Sequence, residues 1–140
     1  MIDALYTKPL LRLAADAFGA GRLADPDLWA EEISTVCGDK ILVTVKLAGP
    51  RIATIGHDTK ACVLCQASAS LLAALAPGLD ASALEGGRQA IAKMLSAGPH
   101  PAAHFQRFAI FSPVSDHPAR HGCVLLPFKV LLKAMVTRTI

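Results

Sequence analysis

The stretch KILVTVKLAGPRIATIGHDTKACVLCQASASLLAAL, residues 40–75, decides the fold. Its first part alternates. Ile41, Val43, Val45 and Leu47 fall on one side and Leu42, Thr44 and Lys46 on the other, the pattern of a half-buried strand. Gly49-Pro50 supplies a turn. Arg51 to His57, with Ile52, Thr54 and Ile55, then reads as the second strand of an antiparallel hairpin. A third strand around Asp58–Ala61 has a weaker pattern. From Cys62 the period becomes helical: Leu64, Ala67, Leu71 and Leu75 share a face with Leu72 beside it, until Pro77-Gly78 stops the run. A strand region thus hands over to a helix at Cys62. The free N–H groups and positive dipole end of a helix start favour a thiolate there.

Working outward, Pro9 suits the first position of a helix whose apolar face is Leu10, Leu13, Ala14, Ala17 and Phe18, ended by Gly19 and Gly21. Residues Arg22 to Ile33 read as a loop with a short helical turn at Asp27–Glu32. Toward the C-terminus, Ser82 with Glu85 forms a capping-box pattern. It opens a helix carrying Ile91, Met94 and Leu95, weakened by Gly86 and Gly87. A short helix follows over Ala102–Phe111. Pro118 opens a last helix with Val124, Leu125, Phe128, Leu131, Leu132 and Met135 on its apolar side, and Pro127 predicts a kink within it. Few early strands followed by helices imply an α+β fold: a small antiparallel β-sheet of two or three strands with helices packed on one face.

At 140 residues the chain suits a single domain, 1–140. Its apolar content is 53%, yet no run approaches the roughly 20 residues that span a bilayer. The first ten residues lack a basic segment leading into an apolar one, so no signal peptide is expected and a cytoplasmic location is. The net charge of +3 and scattered basic residues do not suggest nucleic acid as a partner. Neither does the sequence suggest a membrane.

Four cysteines without an export signal argue against a disulfide framework. Cys37, Cys62 and Cys123 are separated by 25 and 61 residues, which is not zinc-finger spacing. By spacing alone each is better explained as a small buried residue than as a ligand. Their positions say more. Cys37-Gly38-Asp39 precedes the first strand, where Gly38 permits an unusual backbone. Three thiolates and the Asp39 carboxylate would make a tetrahedral set suited to zinc, and thiolates also suit iron–sulfur clusters. Lys40 and Arg120 are placed to lower nearby thiol pKa values.

The motifs Cys37-Gly38-Asp39, Cys62 with Ala67-Ser68-Ala69-Ser70, and Pro118-Ala119-Arg120-His121-Gly122-Cys123 leading into Leu126-Pro127-Phe128 resemble those of the NifU/IscU family of iron–sulfur cluster assembly proteins. Leu5-Tyr6 also fits. The long interval between Cys62 and Cys123 resembles the SufU type. So do Gly122, where IscU proteins carry a histidine ligand, and the lack of an LPPVK-like segment before Cys123. The resemblance implies the NifU N-terminal-domain fold and metal ligands Cys37, Asp39, Cys62 and Cys123. It implies Zn2+ in a SufU-like protein or a nascent [2Fe–2S] cluster in a scaffold. Cys37 would leave the zinc and accept persulfide sulfur from a PLP-dependent cysteine desulfurase, and apo iron–sulfur proteins or downstream carriers would be the recipients. Such a protein is a scaffold or sulfur acceptor rather than a conventional enzyme.

Cys65 makes a Cys-x-x-Cys pair with Cys62. It reads either as a small buried residue one turn along the helix, or as an extra ligand or half of a thiol oxidoreductase site. His121, two residues before Cys123, points to the opposite side of a helix and is expected at the surface. His57, His100, His104 and His117 are expected there too. Ala61 stands where the family usually has Gly, and would be strained if that position required positive φ.

Overall fold

The computed structural model describes residues 6–34 and 38–136. Cys37 therefore lies outside the described residues, as do Leu5 and the last four positions. Three antiparallel strands form one sheet in the order β1 (Leu28–Ile33), β2 (Lys40–Ala48) and β3 (Arg51–Lys60). The alternation in β2 sets the faces. Ile41, Val43 and Val45 are buried on the inner face, and the register adds Ala30 and His57 beside Val43, and Leu28 and Ile55 beside Val45. Gly49-Pro50 closes the β2–β3 hairpin between the paired Ala48 and Arg51, with Gly49 at φ +64, where a side chain would be strained.

β1 corrects the expected loop over Arg22–Ile33 with its helical turn at Asp27–Glu32. Six residues there are extended and paired to β2 from Leu28↔Val45 to Ile33↔Lys40. The strand escapes its hydrophobic pattern because it is an edge strand, with Trp29 66% and Ile33 55% exposed and two glutamates between. The weak third strand at Asp58–Ala61 is the end of β3, which runs on to Lys60.

Among the described residues four α-helices build the rest: α1 (Lys8–Asp16), α2 (Val63–Leu75), α3 (Ala81–Leu95) and α4 (His121–Val136). The helices α2 and α4 lie against the inner sheet face, α2 on β3 and α4 on β1 and β2. α1 packs on α2. α3 packs on α4, together with a run of 3-10 turns at Ala103–Asp116 that is longer than the expected Ala102–Phe111 helix. Phe105, Phe108 and Phe128 meet at ring-centroid distances of 5.3–6.2 Å, in the range favourable for aromatic pairs. Gly87, expected only to weaken α3, has a packing reason. A Cβ at that position would collide with the Phe105 ring.

Two helix ends differ from expectation. α1 stops at Asp16 because Ala17 turns left-handed at φ 47, before Gly19, and this leaves Phe18 58% exposed. The N-cap of α3 is Asp80, whose carboxylate accepts the Ala83 N–H at 2.9 Å. The expected capping box is therefore not formed: Ser82 is already inside the helix, and Glu85 instead binds Arg88 and Gln89. α4 continues from His121 to Val136 through Pro127. Pro127 has no N–H to give the carbonyl four residues earlier, that of Cys123. The carbonyl of Val124, one residue on, accepts the buried Ser68 hydroxyl of α2 at 2.6 Å. That bond ties α2 to α4 just behind the cysteines. No described helix is long and apolar enough to cross a membrane.

Candidate metal centre

Three chain segments converge at one end of the α2–α4 pair. The first is the turn between β1 and β2. Ser34 N–H donates to the Asp39 carbonyl at 2.7 Å and accepts from Gly38 N–H at 2.8 Å through its own carbonyl. Gly38 sits at φ +73, a conformation that glycine adopts without steric cost. Asp39 is thereby fixed just ahead of β2, only 5% exposed. The second segment is the start of α2, where Cys62 is the N-cap. The third is the start of α4, where Cys123 is the third helical residue and is 4% exposed. One ligand atom from each of Asp39, Cys62 and Cys123 lies within 4.8 Å of the others.

The carboxylate of Asp39 is used on one side only. Oδ1 accepts the Cys62 backbone N–H at 3.2 Å, which ties the β1–β2 turn to the start of α2. Oδ2 is buried without a hydrogen-bond partner among the described residues. Leaving such an oxygen unpaired costs about 1–3 kcal/mol or more when it is charged. A buried acceptor on a residue beside two cysteine sulfurs is therefore unfinished among the described residues, and a cation is one kind of group that would complete it. Two sulfurs and a carboxylate oxygen are donors that zinc and iron accept.

The electrostatics of Cys62 fit that use. Its pKa falls from 9.0 to about 6. The hydrogen bond from the Cys123 thiol is the largest cause, and burial opposes it. The N–H groups of Cys65 and Leu64 lower it further, while the Asp39 carboxylate pushes it up. No side-chain cap bond closes on the helix end, so these N–H groups act on the anionic sulfur. Arg120, in the 3-10 turn Pro118–Arg120 that leads into α4, is held more firmly charged. Tyr6 contributes most to this, and Cys123 and Cys62 also contribute. Arg120 therefore belongs to the site's surroundings rather than to a plain surface.

The other residues singled out in the sequence separate clearly. Cys65 is fully buried in the core and outside the three-residue cluster. His121, expected at the surface, is half-buried and outside the cluster. Its Nε2 faces the Val114 carbonyl at 3.1 Å and the Ser115 carbonyl at 3.3 Å. Ala61 is not among the residues of positive φ, so it carries no strain of that kind. His100 and His104 are exposed, as expected, and His117 is half-buried.

His57 overturns the surface expectation. It is 5% exposed, with Nδ1 2.8 Å from the Thr59 hydroxyl and Nε2 2.8 Å from the Phe18 carbonyl. The carbonyl can only accept, so Nε2 carries the proton and Nδ1 accepts from Thr59. Its backbone also bonds Gly19 and Gly21, docking the segment after α1 onto β3. The deciding partner, Phe18, is 39 residues away, so no local pattern signals it.

The family model for the NifU-like N terminal domain matches residues 5–124. An iron–sulfur cluster assembly scaffold protein IscU of Thermotoga maritima is 24% identical over 131 residues, covering 94% of this chain and 92% of that protein. The crystal structure of a nitrogen-fixing NifU-like protein (N-terminal) from Brucella abortus superposes with a TM-score of 0.91 at 34% identity, with 99% of each chain covered. A putative iron–sulfur cluster assembly scaffold for the SUF system from Fervidobacterium islandicum shares the fold, with a TM-score of 0.86 at 19% identity over 94% of this chain and 96% of that one.

Proposed function

The chain belongs to the NifU-like N-terminal domain family, and on that footing we propose that it serves iron–sulfur cluster assembly as a SufU-type sulfur acceptor, holding zinc on Cys37, Asp39, Cys62 and Cys123. The observation that supports this most is the buried Oδ2 of Asp39, without a partner among the described residues, on a residue grouped with two cysteine sulfurs. Cys37 enters by covalent reach. Two peptide units place its Cα within roughly 7.6 Å of that of Asp39, so the β1–β2 turn can supply a fourth donor to the same centre. Bound there, zinc would keep its thiol ligands deprotonated near neutral pH.

The protein's own groups then divide the work. Asp39 fixes the start of α2 through the Cys62 N–H. Cys62 and Cys123, at helix starts, are built as stationary donors. Cys37, two residues before Asp39 in the sequence, is the nucleophile. Its thiolate attacks the outer sulfur of a persulfide on a PLP-dependent cysteine desulfurase. The new S–S bond forms as the enzyme's own S–S bond breaks, and the enzyme's cysteine leaves as thiolate. Arg120, close to Cys62 and Cys123, provides positive charge against the collected sulfur anions. Apo iron–sulfur proteins or later carriers are the acceptors.

A second reading has the support of the Thermotoga maritima relative, whose name is that of a cluster assembly scaffold. On that reading the same residues collect a [2Fe–2S] cluster as cargo. One pair of measurements separates the two. With a cysteine desulfurase and labelled cysteine, the sulfur-acceptor reading predicts label on Cys37 and a rise in desulfurase turnover that Cys37→Ala abolishes. Undiminished stimulation by Cys37→Ala contradicts it. A coloured, oxygen-sensitive product of anaerobic reconstitution with iron and sulfide favours the scaffold.

A further inference from the structure

Cys65 takes no part in the chemistry above, yet it lies one turn from a residue that does. Cys62 is the N-cap of α2 and Cys65 is the third residue inside the helix. Helix rise and radius put the Cα atoms of residues so placed about 5 Å apart, within the roughly 4.4–6.8 Å that a disulfide spans. Both cysteines sit in one rigid turn, so bridging them moves no element against another. Their exposures differ sharply. Cys62 is partly exposed and Cys65 is fully buried.

We propose that Cys62 and Cys65 are a redox-active dithiol, and that closing their disulfide withdraws Cys62 from the metal centre. The exposure difference fixes the order of events. Of these two cysteines, Cys62 is the one that a low-molecular-weight disulfide, the oxidant, reaches. The Cys62 sulfur attacks it, forming a mixed disulfide and expelling one thiol. Cys65 then gives up its proton and attacks the Cys62 sulfur, and the second thiol leaves. In sum, one external disulfide is reduced to two thiols while two cysteines become one disulfide. The metal centre keeps Asp39 and Cys123 among the described residues but loses the sulfur that links them to α2. The coupling to metal rests on the proposed function above. The dithiol itself does not.

The test treats the full chain, both zinc-loaded and metal-free, with oxidised glutathione. Thiol counting, peptide mass mapping and a chromophoric zinc indicator follow the reaction. The account predicts the loss of two thiols, a Cys62–Cys65 linked peptide in both samples and release of the bound zinc. In Cys65→Ser and Cys65→Ala, whichever folds, zinc release slows several-fold and glutathione accumulates on Cys62. Zinc released without a Cys62–Cys65 link, a link from Cys62 to Cys123 or Cys37 instead, or four surviving thiols would overturn the proposal. If the protein never takes up zinc, the metal reading fails, and the metal-free sample still decides the dithiol.

Discussion

Two buried polar clusters flank the end of β3, and they are finished to different degrees. Around His57 every ring nitrogen has a partner, one in Thr59 and one in the Phe18 carbonyl. Around Asp39 one carboxylate oxygen is bonded and the other has no partner among the described residues. Buried polar groups are ordinarily satisfied, because an unmade bond costs more than a made bond gains. The first cluster therefore reads as structure. The second reads as a place kept for a ligand. The difference separates fold from function more sharply than residue type does, since histidine is the commoner metal ligand of the two.

The comparison breaks most visibly by substituting each cluster in turn. Cys62→Ser keeps the shape of the N-cap but removes a soft donor. Zinc affinity, measured by competition with a chromophoric chelator, should fall by more than the roughly 10–100-fold typical of losing a residue that only orients a ligand. The melting temperature of the metal-free protein should barely move. His57→Ala should do the reverse. It strands the Phe18 carbonyl and loosens the segment after α1. The cost should be about 1–3 kcal/mol in urea unfolding, with zinc affinity little changed. Equal losses of stability and affinity in both variants would erase the distinction.

A smaller effect sharpens it. Burial lowers the His57 pKa below 6.5, against the opposing pull of the Phe18 carbonyl and Asp58. The folded protein thus binds this proton less well than the unfolded chain. The stability due to neutral His57 is complete above about pH 6.5 and is lost as the pH falls through that value toward the folded pKa. Between pH 7.5 and 5.5 the metal-free protein should lose more melting temperature than its His57→Gln variant, which cannot titrate there. Parallel profiles would show that His57 is not held neutral.

The sequence made some of this legible and hid the rest for identifiable reasons. β2, β3, α2 and α4 could be read because their apolar periods match the faces they bury. β1 could not, because an edge strand exposing Trp29 and Ile33 has no such period to show. Asp80 outcompeted Ser82 as the α3 cap, a choice between two adequate residues that local sequence does not make. The cysteine motifs named Asp39, Cys62 and Cys123, which the fold brings together, since chain order and flanking residues mark them. His57 was misread because its partner comes from a segment 39 residues earlier, placed by the docking of α1. The unpartnered oxygen of Asp39 belongs to three-dimensional arrangement alone. Asp39 was named from its motif, but only packing shows that one of its carboxylate oxygens has no partner among the described residues.

The most direct test of that claim is the metal content of the full chain purified without added metal, by elemental analysis, beside its Asp39→Ala variant. The account predicts close to one zinc or iron per chain in the natural protein and a clear loss in the variant. A natural protein that is stably folded and free of metal, and that takes up none when zinc is supplied, would contradict it.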